Sequence, residues 1–216
     1  MPRSPILDGM TTTVLLVRHG QSVGNVQQLF CGHDDTPLTD IGIAQAKALG
    51  TRLAAMRIDA AYASDLSRAA DTARHALNGR EMSVDLDPRL REMHYGDWEG
   101  LSGTAIRERD PDHLREFFRG KVPAPGGETI VQVRERTVAS VREIATTHQD
   151  ATVLVASHGN AIMALIAELL GVPEESSWSF AVNNTSISTL HFSKSGRFTL
   201  VGFNDDSHAR SPVAPA

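Results

Sequence analysis

Aliphatic residues fill positions 14–17 without a break, Val14, Leu15, Leu16 and Val17, and the run stops abruptly at Arg18-His19-Gly20. A strand apolar on both faces belongs in a parallel sheet covered on each side, whereas a half-wet strand alternates. The same pattern returns late in the chain, where "TVLVASHG" repeats the "TVLLVRHG" of residues 13–20. Between these echoes, helical spacing of apolar residues predicts a helix in "LTDIGIAQAKALGTRLAAM", with Thr39 or Asp40 as N-cap. "IDAAYAS" reads as a short strand. "SDLSRAADTARHALNG" reads as a helix that starts on a capping serine or aspartate and stops at Asn-Gly.

The glycine, proline and charge of residues 86–103 predict a loop, and "VPAPGGE" predicts another. Between them "GTAIRERDPDHLREFFRG" reads as one or two short helices broken at Pro111. A long amphipathic helix is expected over residues 128–148, and an apolar helix after the second His-Gly. "NTSISTLHF" and "RFTLVGF" alternate as strands do. Strands alternating with helices imply an α/β fold, a single-domain three-layer α/β/α sandwich with a mostly parallel central sheet. It is expected to span residues 11–205, with 1–10 a flexible N-terminal extension, in which Met10 offers an alternative start, and 206–216 a flexible tail.

Composition narrows the function classes. With 41% hydrophobic and 22% charged residues in 216, the chain has the makeup of a soluble globular protein. A net charge of −5 supplies no general footprint for nucleic acid or a membrane surface, so any anionic ligand must be held by local charges. Cys31 is the single cysteine, and no apolar stretch approaches the ~20 residues of a span. A cytoplasmic protein is expected, with no partner among nucleic acids or membranes and a homodimer left open. The nine histidines include no His-Glu-x-x-His pair, no Gly-Lys-Ser/Thr phosphate loop exists, and no metal or cofactor is expected.

If the two echoing strands are parallel neighbours, His19 and His158 meet at the carboxyl edge of the sheet, where open α/β sheets bind ligands. Each imidazole titrates near neutrality and stands beside a glycine that admits ligand to the backbone. Arg68 falls in the first turn of the helix after the second strand, near the same edge. An intrahelical pairing with Asp65, Asp71 or Thr72 explains it equally well. Glu92 lies in a loop among aromatics, and Arg89 or Arg91 offers it an exposed surface pairing instead. Trp98, Phe117 and Phe118 read as core or pocket wall.

Taken together, "LVRHGQSVGN", "LTDIGIAQA", "ASDLSRAADTA", "LREMHYGDWEGL", "PGGET" and "VASHGNAI" resemble, in order, the motifs of the histidine phosphatase superfamily, the phosphoglycerate-mutase-like branch. The resemblance runs from about Thr13 to Phe192. It implies that His19 is the phosphate-accepting nucleophile, that Arg18, Arg68 and His158 grip the phosphoryl group, and that Glu92 is the proton donor. It further implies that Asn25 touches a phosphate oxygen, that Cys31 and Gly32 line the phosphate pocket, and that Tyr95, Gly159 and Asn160 contact substrate. The mutases of the branch usually carry a hydroxyl residue at the position of Cys31.

The chemistry agrees with that assignment. A phosphoryl group in transfer spreads charge over three oxygens, and two guanidinium forks are suited to hold them. The resemblance therefore implies metal-independent hydrolysis of a small phosphorylated metabolite through a phosphohistidine. Two alternatives are a cofactor-dependent phosphoglycerate mutase and a catalytically silent module that binds phosphorylated ligands. Against the mutase, Gly103 stands where its lysine aligns, and Phe117 and Phe118 precede a single Arg119 where an arginine pair is expected.

Overall fold

The computed structural model describes residues 10–209. The expected N-terminal extension and C-terminal tail lie outside that range, apart from Met10, which begins the first strand, and residues 206–209. Six strands form one sheet: β1 (Met10–Arg18), β2 (Ala60–Ala63), β3 (Asp85–Leu86), β4 (Thr152–Ser157), β5 (Ile187–Ser193) and β6 (Phe198–Asp205). Their order is β3-β2-β4-β1-β5-β6. The four strands from β3 to β1 run parallel, and β5 and β6 add antiparallel at one edge.

The apolar runs are buried as their pattern requires. Val14 and Leu16 join Val153, Val155 and the helices α6 (Ile130–Thr147) and α7 (Gly159–Leu169) on one face. Leu15 and Val17 join Leu154 and Ala156 against α2 (Asp40–Leu53) and α3 (Ser67–Ala76) on the other. The result is the expected three layers. A third cluster, around Met93, Trp98, Ile106, Leu114, Phe117 and Val133, seats α4 (Gly103–Arg109) and α5 (Pro111–Phe118). Pro111 divides the two helices as predicted, with Asp110 capping the second through the His113 amide.

Two expectations need correction. The start of α3 is not capped by its own serine or aspartate: its N-cap is Leu66, and the Ser67 amide and hydroxyl are both held by the Asp35 carboxylate at 2.8 Å. Asp65 is drawn away into a pair with Arg91. The two-residue strand β3 went unrecognised, because a pair of exposed residues carries no period. Among the described residues no helix is long and apolar enough to cross a membrane.

Candidate active site

Parallel pairing of β1 with β4 places Arg18 opposite Ser157, so the residues that follow, His19 and His158, leave the sheet side by side. The His19 amide donates to Ser157 O at 2.9 Å, and the two imidazole centroids lie 5.2 Å apart. Both rings are buried, at 3% and 0% exposure. His19 Nδ1 stands 2.7 Å from Gly20 O. A carbonyl only accepts, so Nδ1 carries the proton and Nε2 keeps its lone pair. Burial first, then the charges of Arg18 and Arg68, hold His19 well below the usual imidazole value, against the pull of Gly20 O. His158 is likewise lowered by burial and by Arg68 and His19.

A cavity of about 510 Å³ opens at this sheet edge, and His19, Arg18, Arg68, Asn25, Cys31 and Gly32 are among the residues that line it. Arg68, 2% exposed, donates to Gly32 O at 2.7 Å and Asp34 O at 2.9 Å. Those two bonds use part of a five-donor fork and aim what is left. The guanidinium makes no intrahelical pair: Asp65 is taken by Arg91, Asp71 by Arg74, and the Thr72 hydroxyl accepts the Gly20 amide and donates to the Arg68 carbonyl at 2.6 Å instead of meeting the side chain. Arg18 donates to Val182 O at 2.5 Å, and its Nε, like both ring nitrogens of His158, is buried without a partner in the protein. Arg18 Nε, unpaired in the cavity wall beside a second guanidinium group, is a donor that a tetrahedral oxyanion would satisfy.

Glu92 lies on the cavity wall and does not take the surface pairing open to it in the sequence. Arg91 binds Asp65, and Arg89 binds Asp87 and Glu143. Instead the Glu92 carboxylate accepts amides at the start of α7, Asn160 N at 3.2 Å on Oε2 and Ala161 N at 3.1 Å on Oε1, with Met93 N at 2.8 Å on Oε1. Tyr95 and Asn160 both line the cavity and hydrogen-bond each other, Asn160 Nδ2 donating to the phenol oxygen. Burial and the neighbouring Glu92 keep the Tyr95 phenol neutral, far above its ordinary value. Gly159 lines the same wall against Arg18.

Of the eleven residues named from the sequence, ten line the cavity; His158 packs behind His19 and is not on its surface. Phe117 and Phe118 line it too, with Phe30, Met163, Trp178 and Phe180. Arg18 and Arg68 are the only cations among its described lining residues. Arg115, Arg119 and Lys121, which flank the two phenylalanines, are paired with Asp112 and Glu116 instead. Among the described residues no group of three His, Cys, Asp or Glu side chains is arranged to hold a metal ion.

Sequence reasoning missed Arg136 and Asn184. Arg136, on α6, spends all five N–H donors: two on Glu128, and one each on the carbonyls of Arg89, Arg91 and Glu92, at 2.7–2.8 Å. It thereby pins the segment that ends in Glu92. His33 Nε2 adds a second donor to Glu92 O at 3.0 Å. Asn184 bonds the His19 carbonyl and the Asn25 side chain. Neither signal is local in sequence.

A sheet of this order, with two imidazoles and two guanidinium forks at its carboxyl edge, defines an α/β protein whose cavity sets two cations beside a buried histidine. Residues 14–206 match the histidine phosphatase superfamily (branch 1). Over 171 residues the chain is 33% identical to the adenosylcobalamin/alpha-ribazole phosphatase of Escherichia coli (strain K12), covering 78% of this chain and 84% of that protein. It is 39% identical over 175 residues to the 2,3-bisphosphoglycerate-dependent phosphoglycerate mutase of Brucella anthropi, covering 77% and 85%. Among solved structures, Bacillus stearothermophilus YhfR superposes with a TM-score of 0.88 at 34% identity, over 92% of this chain and 100% of that one. The chain belongs to the histidine phosphatase superfamily, branch 1.

Proposed function

We propose that this protein is a phosphatase that hydrolyses small phosphomonoesters through a phosphohistidine on His19. The observation that carries the reading is the Nδ1–H bond to Gly20 O, which leaves Nε2 unprotonated within a cavity lined by two guanidinium groups. Arg18, Arg68 and Asn25 would hold the three phosphoryl oxygens as charge spreads over them, while His158, buried against the His19 ring, would back the nucleophile. Nε2 attacks phosphorus, the ester P–O bond breaks, and the Glu92 carboxyl gives its proton to the departing oxygen. Of its two oxygens Oε2 accepts one amide against two on Oε1, so it has the freer lone pair for that proton. Water then attacks phosphorus, Glu92 takes back a proton, and the P–N bond breaks to release phosphate.

Hydrolysis is favoured over mutase chemistry by the charge on the cavity wall. A mutase has to hold a second anionic group while the phosphoryl group changes oxygens. Here the lining adds aromatic residues and no cation beyond Arg18 and Arg68, and Arg115, Arg119 and Lys121 near Phe117 and Phe118 are paired with acids. The Brucella anthropi relative is the point in favour of a mutase.

Purified protein incubated with nitrophenyl phosphate, 3-phosphoglycerate and 2-phosphoglycerate, with and without 2,3-bisphosphoglycerate and with chelator, separates the readings. Free phosphate released despite chelator supports the phosphatase. Interconversion of the phosphoglycerates after priming would replace it with the mutase, and absence of any turnover with a silent binding module. His19→Ala is expected to abolish both turnover and acid-labile phosphate labelling.

A further inference from the structure

Asn25 completes a capping box on its own short helix, α1 (Val23–Val26), whose N-cap is Ser22, and in doing so commits one end of its amide: Oδ1 accepts the Ser22 amide at 3.1 Å, while Ser22 Oγ accepts the Asn25 amide. A second donor reaches the same oxygen from the far end of the chain, Asn184 Nδ2 at 3.2 Å. With two donors on Oδ1, the Nδ2 end of Asn25 is the one left for the cavity that this residue lines. Turning the amide over would set its N–H groups against two other donors, so orientation is locked by the network.

The other hydrogen of Asn184 Nδ2 is donated to the carbonyl of His19 at 2.9 Å. One primary amide thus ties the backbone of the nucleophile to the side chain of a phosphate donor, across 165 and 159 positions of sequence. Its own position is over-determined. Thr185 takes a left-handed φ of 56°, which turns its amide onto Arg18 O at 3.0 Å, and Arg18 N in turn donates to Ser186 O at 3.3 Å. On the other side Asn183 donates to Asn204 near the end of β6 and to Asp206 just past it. Such a clamp keeps reacting groups in register, which is where small misplacements are costly.

We propose that Asn184 is a positioning residue that fixes the Asn25 amide with its N–H end toward the phosphoryl group and holds it in register with His19. The proposal rests on the phosphatase reading for the identity of the anion, and inorganic phosphate binding tests it without requiring turnover. Asn184 reaches substrate only through these two partners.

The test is a double-mutant cycle on Asn184→Ala and Asn25→Ala, read by calorimetric titration with inorganic phosphate, by kcat and KM for nitrophenyl phosphate, and by Tm. Asn184→Ala is expected to weaken phosphate binding about tenfold, in line with a lost, partly buried hydrogen-bond pair. In the Asn25→Ala background the same change is expected to cost about threefold or less, the remainder acting through the His19 carbonyl. Asn184→Asp repeats the cycle with the shape retained should the alanine variant melt below the assay temperature. Equal losses in both backgrounds, or phosphate affinity within twofold of the parent in both Asn184 variants, would overturn the proposal. A parent protein that binds no phosphate overturns it together with the proposed function, whereas a parent that binds phosphate without turning over an ester overturns only the latter.

Discussion

Arg136→Met is the substitution whose cost can be worked most directly from the structure. It removes five donors from partners at 2.7–2.8 Å while keeping much of the apolar stem. Two acceptors survive with other partners: Glu92 O keeps His33, and Glu128 keeps the His94 amide at 2.9 Å. The carbonyls of Arg89 and Arg91 lose their side-chain donor, at about 1–3 kcal/mol each where water does not replace it. The Arg136–Glu128 pair is 18% and 20% exposed, between the surface and buried limits, and adds about 1–2 kcal/mol. A total of about 3–8 kcal/mol follows, and at about 3 °C per kcal/mol for a chain of this size Tm falls by about 9–24 °C. Arg136→Lys should recover less than half, since one ammonium cannot span three carbonyls and a carboxylate. Activity gives a second readout, because the pinned segment carries Glu92. An alkyl phosphate, whose leaving group needs a proton, should lose about 10- to 100-fold in kcat, and nitrophenyl phosphate about threefold or less. Differential scanning fluorimetry and paired kinetics on the two esters decide it. A Tm loss under about 3 °C, or equal losses for both esters, would refute the reasoning.

Other consequences can be checked singly. Glu92→Gln should cost about 10²- to 10⁴-fold with alkyl phosphates and much less with nitrophenyl phosphate, measured as kcat; equal losses would argue against an acid role. Gly32→Ala should lower Tm by at least about 5 °C, because Gly32 sits at φ +49° and a methyl there overlaps the Glu99 carboxylate that holds the His33 and Tyr95 amides. The acid limb of kcat/KM due to His19 should lie well below pH 6.5, since burial, Arg18 and Arg68 all disfavour the imidazolium, and a limb at or above pH 6.5 would contradict this. His19, His33, His158, His191 and His208 are all lowered on folding, by burial first in each case. Below pH 6.5 the unfolded chain therefore binds more protons than the folded one. This contribution to stability is complete above pH 6.5 and is lost as the pH falls toward the folded values, so Tm should drop from pH 7.5 to 5, and a rise would sink the account.

The parts of the molecule that were legible in the sequence share a physical reason. Runs such as Val14–Leu15–Leu16–Val17 bury alternate residues in the two clusters on either side of the sheet, so their periodicity reports the layer order directly. Thr39 caps α2 because its partner, Gly42 N, is three residues away. The twin His-Gly echo reported a shared edge because β1 and β4 are neighbours in register. Where local reading failed, the partner was distant. The cap of α3 comes from Asp35, 32 residues before Ser67, and Arg68 left its helical neighbours for the carbonyls of Gly32 and Asp34.

Arg136 and Asn184 show a stricter limit. Their decisive partners include backbone carbonyls, of Arg89, Arg91 and Glu92 for one and of His19 for the other. A carbonyl is the same at every position, so no residue type marks it as an acceptor waiting for a guanidinium or an amide. The same fact sets how these contacts respond to change. Arg89 divides its donors between two side chains, Asp87 and Glu143, and can lose either while keeping the other. For the bonds that Arg136 and Asn184 make to carbonyls no such exchange is available, because a carbonyl cannot be substituted to suit a new partner. The groups that would do the chemistry were therefore readable by type, while those that hold them in place were visible only once the chain was folded.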